Sequence, residues 1–139
     1  MAKRLTPAQI NALAQDPRQQ SHMAPPAAVD HSRPWVPEDN TALFHSPVYA
    51  SLSHAQRLRY NQLFALRNNE YIMMIEHDLI EQLMPPIGRL PQVRADPQLS
   101  AAIATMLQEE RRHFAGFAAL NRVARPDLYP AGQDRFFAQ

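Results

Sequence analysis

The sequence contains no cysteine, which excludes disulfides, thiolate metal sites, iron–sulfur clusters and a cysteine nucleophile. Glycine is nearly as scarce. Gly88, Gly116 and Gly132 are too far apart to write a G-x-G-x-x-G or a P-loop, so a glycine-rich phosphate cradle is excluded. Neither sign of charge is in excess. Fourteen Lys+Arg face thirteen Asp+Glu, and a formal net charge of +1 argues against nucleic acid as a partner. Lys3 is the single lysine beside thirteen arginines, a bias from which no function follows. Long apolar runs are missing too: the longest uncharged one, Tyr71 to Ile75, is far too short to cross a membrane. No apolar signal-peptide core follows Lys3 and Arg4, so a cytoplasmic location without a membrane partner is the expectation. The 139 residues suit one domain or part of one.

Proline is what the chain has in plenty. Seven of the thirteen prolines lie in residues 1–50, which read as a Pro-rich arm with one short helix. Thr6-Pro7 can start that helix, with Thr as N-cap and Pro at the first position, running to about Gln15. Trp35 and Phe44 are the arm's natural anchors if it packs rather than staying a partly disordered leader. Residues 51–125 read as a helical hairpin. Ser53 with Gln56 forms a capping box, and no Gly or Pro follows until Pro85-Pro86, which predicts a helix over 53–84. At about 1.5 Å per residue it spans nearly 50 Å. A Pro-rich connection over 85–97 leads to a second helix from about Gln98 to Arg122 or Arg125, framed by Asp96-Pro97 and Pro126. Residues 126–139 read as a tail or the start of a linker. The pattern predicts an all-α fold with a long antiparallel helix pair.

Helical phasing at about 100° per residue separates the acids on each helix. On the second helix Glu110 sits in the middle of the apolar stripe. Leu99, Ile103, Phe114 and Phe117 lie within about 40° of it, and His113 about 60° to one side. Glu109 lies about 100° away, and Arg111 and Arg112 point outward. On the first helix a stripe centred on Ile72 gathers Leu58, Ala65, Leu79 and Leu83 with Glu76, while Glu70, His77 and Glu81 fall opposite. Asn61 and Asn69 also lie inward. Loop symmetry would set Glu70 closer than Glu76 to the height of Glu110, but the face argument favours Glu76.

Buried ionised carboxylates are costly unless paired or bound to metal. Either Asn61 and Asn69 satisfy these acids in a polar core, or Glu76, Glu110 and His113 ligate metal. One Glu plus a Glu-x-x-His is half of a ferritin-like di-metal set, and oxygen and imidazole donors suit Fe or Mn. Met73-Met74 and the Phe114/Phe117 pair read as packing rather than as a substrate pocket. Arg111-Arg112 with Glu109 reads as a solvated face. His22, His31 and His45 have no ligand spacing. Ser53-His54 is a capping serine, not an activated nucleophile.

The stretch from Tyr60 to Glu76 (YNQLFALRNNEYIMMIE), followed by Met106 to His113 (MLQEERRH), resembles the first half of a diiron oxygenase of the p-aminobenzoate N-oxygenase family. The resemblance covers about residues 50–125 and implies half of a ferritin-like four-helix bundle. It also implies a site of two Fe ions, with Mn possible, that activates O₂ and oxidises an amine, an aryl amine in that family. Carried over by position, Glu76 is a terminal ligand, Glu110 a bridge and His113 the imidazole ligand of one iron. Such proteins draw further Glu and His ligands from two more helices. The resemblance therefore implies that the chain is the front part of a longer protein or a homodimer that completes the site. Two other functions fit the same pattern: a non-catalytic helical dimerisation module, and a dimeric ferritin-like ferroxidase.

Overall fold

The computed structural model describes residues 4–18 and 27–130, which are helical with no strand among them. The elements are α1 (Pro7–Ala14), a 3₁₀ turn (Glu38–Asn40), α2 (Pro47–Ser51), α3 (His54–Asp78), a π-helical segment (Leu79–Leu83), α4 (Met84–Arg89), α5 (Pro91–Ala95) and α6 (Pro97–Ala124). None of these helices is long and apolar enough to cross a membrane.

Local chemistry explains most boundaries. Thr6 caps α1 reciprocally with Gln9: Thr6 N donates to Gln9 Oε1 at 2.9 Å, and Gln9 N donates to Thr6 Oγ1 at 3.3 Å. Ser53 and Gln56 repeat the device at the start of α3. Asp96 Oδ1 accepts from Gln98 N at 2.8 Å and from Leu99 N at 3.3 Å, capping α6 ahead of Pro97. The helix α2 was not expected. Ser46 accepts from Tyr49 N and Pro47 fills the first position, the same Thr-Pro logic that starts α1.

The end of the first long helix differs from expectation. Pro85-Pro86 do not stop it; they sit inside the first turn of α4. Proline lacks the N–H that would bond the carbonyl four residues back. The turn before widens to a π-helix, in which Met84 N–H donates to Leu79 O, five residues back. That re-phasing brings both prolines to an N-terminal turn, where no intrahelical donor is required. The remainder of the connection is helical too, as α5.

Two compact units divide the chain: one joins the stretch up to Ala24 with Met73–Gly116, the other joins Pro25–Ile72 with the chain from Phe117 onward. In the first, Asn11 of α1 is buried and its Nδ2 donates to Gln98 O at 2.8 Å. Met73, Ile80, Met84 and Val93 form its apolar interior. Glu76 lies level with His113, and a Cβ built on Gly88 would meet Ile103 Cγ2 at 3.8 Å, so the chain segments here run antiparallel.

In the second unit residues 27–50 of the arm pack on α3. Asn61, fully buried, accepts from Trp35 N and Val36 N and donates to Val36 O. Gln62 donates to His31 O and Arg33 O. Phe44, Tyr49, Tyr60 and Phe64 stack in sequence at 5.4–6.1 Å between ring centres. Trp35 and Phe44 are thus anchors, each half-buried. Asn69 Nδ2 donates to Asn121 Oδ1 at 2.9 Å, which ties α3 to α6 within this unit.

The phase of α3 is also corrected. Ile72 and Leu83 are exposed, while Leu66, Met73, Glu76 and Ile80 are buried. The buried stripe is rotated by about 60° from one centred on Ile72. Glu70 therefore lies on a flank rather than opposite the core. It is half-buried and accepts a hydrogen bond from the Tyr129 hydroxyl, with Arg67 at 3.8 Å.

Candidate metal centre

Three side chains chosen by helix face meet in the first unit. Glu76 comes from α3, and Glu110 and His113 come from α6, one turn apart. One donor atom from each lies within 4.8 Å of the other two. His113 Nδ1 is 3.7 Å from Glu76 Oε1 and 3.6 Å from Glu110 Oε2. Both distances exceed a hydrogen bond, so neither carboxylate is spent on the ring at that nitrogen. Donors held at about 2.0–2.2 Å around one ion lie about 3–4.4 Å apart, a range that contains both separations from His113 Nδ1. Among the described residues this is the one cluster of three or more acidic or imidazole groups with such spacing.

Burial makes the cluster electrostatically uncomfortable. Glu76 is 5 % exposed, and its Oε2 is buried with no hydrogen-bond partner. Desolvation raises its pKa from 4.5 to about 7; His113 opposes the rise and Glu110 adds to it. The interior thus holds a carboxyl poised between neutral and charged, with an oxygen that nothing satisfies. A divalent cation would satisfy that oxygen and neutralise both acids.

A polar core is the competing account, and its donors are used elsewhere. Asn61 holds the backbone of the arm, and Asn69 donates to Asn121. Neither reaches Glu76. Arg111 and Arg112 are exposed. Glu70 is taken up with Tyr129, Glu81 is exposed, and His77 lies beside Asp78, so none of the three joins the cluster. Glu109 is half-buried and outside it.

The chain matches no protein-family model, no curated protein and no solved structure. Two carboxylates and one imidazole are hard-to-borderline ligands, suited to Fe(II) or Mn(II) and without a thiolate to select softer ions.

Proposed function

We propose that this chain carries the metal-binding helices of a non-haem dinuclear iron oxygenase that oxidises an organic amine, an aryl amine by the resemblance noted above. The supporting observation is the convergence of Glu76, Glu110 and His113 around a buried carboxylate oxygen with no hydrogen-bond partner. In this reading Glu76 is a terminal ligand, Glu110 a bridging one and His113 the imidazole ligand. A second ligand set, from further helices or from a second copy, would complete a site for two ions. When bound, the ions would supply O₂ activation. The protein's own part is to hold two acids on facing helices, to release the proton that Glu76 retains near neutral pH, and to keep water away from Glu76 Oε2. Manganese is the alternative occupant.

The test is metal content and turnover. Protein purified with Fe(II) should retain iron in proportion to chains. Glu110→Ala should lose it and Glu109→Ala should keep it. Incubation with an aryl amine, O₂ and a reductant should then give an N-oxygenated product by mass spectrometry. Equal iron loss in both variants would refute the site. Iron oxidation without amine turnover would leave the site standing and replace the oxygenase by a ferroxidase.

A further inference from the structure

The second unit contains a cavity of about 370 Å³ that has no part in the metal cluster. The size falls at the small end of ligand pockets, which run from about 300 to 1,000 Å³. Its walls are mainly apolar: Trp35 and Val36 from the arm, Ala65 and Leu66 from α3, and Leu120 and Ala124 from α6. The cavity exists because the facing helices present alanines there while the arm is held across them by Asn61 and Gln62. Trp35 is fixed at its edge, its Nε1 donating to Asp30 O at 2.9 Å.

One wall position is polar and incompletely used. Asn69 lines the cavity, and its Nδ2 is committed to Asn121. Among the described residues no donor reaches its Oδ1. An acceptor in an apolar wall favours a ligand that brings a hydroxyl or N–H to it. The other polar wall residue, Asp30, does not call for a cation. Its carboxylate accepts from Ser32 N and Ser32 Oγ and lies 3.8 Å from Arg33.

We infer that this cavity is a binding site for a small neutral aromatic molecule, of one or two rings, that donates one hydrogen bond to Asn69 Oδ1 while its ring lies against Trp35. The assignment is independent of the metal reading, since none of its residues is a proposed ligand. Trp35 is the single tryptophan of the chain, so its emission reports this cavity directly.

Titration of the whole chain with phenol should change that emission saturably. Anisole, of similar shape but without the O–H, should bind about fivefold more weakly. Asn69→Ala should remove the preference for phenol. Ala65→Leu grows into the cavity and should weaken both probes about tenfold or more. If Asn69→Ala does not fold, the phenol-to-anisole ratio of the unmodified chain and the Ala65→Leu variant decide the matter. Equal affinity for the two probes, no saturable change, or undiminished binding in Ala65→Leu would each overturn the assignment.

Discussion

The buried amides beside the arm and the buried acid of the cluster are satisfied to opposite degrees. Around α3 and the arm, Asn61, Gln62 and Asn121 are almost completely buried, and the amides of Asn61 and Gln62 answer backbone groups of the arm. In the unit that carries the cluster, Glu76 is buried just as deeply, yet one of its oxygens has no partner. Neutral amides that satisfy the backbone hold a fold together. A carboxylate left short of donors, beside another acid and an imidazole, costs the fold stability and, in the proposed reading, would supply affinity for a cation instead. The contrast sets residues that satisfy the backbone against the residues proposed to hold metal, and it can be attacked from either side.

The largest effect should come from the architectural side. Asn61→Ala leaves Trp35 N, Val36 N and Val36 O without their partner. The expected loss is about 3–4 kcal/mol, measured by urea unfolding. A loss below about 1 kcal/mol would mean that the arm is not held by this amide.

The opposite sign is expected at Glu76. Its pKa of about 7 in the folded chain exceeds the ordinary value of 4.5. Below about pH 4.5 both folded and unfolded states hold the proton, and no penalty applies. Between about 4.5 and 7 the unfolded chain releases it first, so this group makes the metal-free fold less stable as pH rises, and the penalty levels off above 7. Glu76→Gln should remove that pH dependence and stabilise the metal-free chain at pH 8 by up to about 3 kcal/mol. If Glu76→Gln destabilises the metal-free protein at that pH, the carboxylate belongs to the architecture after all.

Metal binding should invert this ranking. Glu76→Gln should weaken Fe(II) or Mn(II) binding about a hundredfold by calorimetry, and Glu70→Gln should leave it within about twofold. Below pH 7 the affinity of the unmodified chain should fall as protons compete for Glu76. Comparable losses in Glu70→Gln would place the acid on the wrong face of α3.

The smallest expected effect concerns Glu70 itself. Glu70→Ala removes the acceptor for the Tyr129 hydroxyl. About 1 kcal/mol of stability should be lost, with metal content unchanged. A larger loss would make the flank of α3 as important to the fold as the amides at its centre.

Much of this protein is legible in its residue order, because the governing interactions are local. Thr6 with Gln9, Ser53 with Gln56, and Asp96 before Pro97 satisfy backbone groups within three residues of themselves, so these three helix starts follow from local residue order alone. Glu110 and His113 share a face because three residues make nearly one turn, whatever surrounds them. Glu76 was separable from Glu81 by the same arithmetic.

Tertiary packing decided what that arithmetic left open. The stripe of α3 turns on Met73 rather than Ile72 because Tyr71, Ile72, Met73, Met74 and Ile75 are all apolar, and such a run gives no phase. Pro85-Pro86 continue a helical path because a π-turn before them changes the register, an adjustment that no residue type announces. The sequence offered the inward Asn61 and Asn69 as donors to the acids. Asn61 serves the arm instead and Asn69 donates to Asn121, because only the folded chain determines which donor lies within hydrogen-bond reach of which acceptor. That choice leaves Glu76 Oε2 without a partner, and no residue pattern by itself could have revealed it.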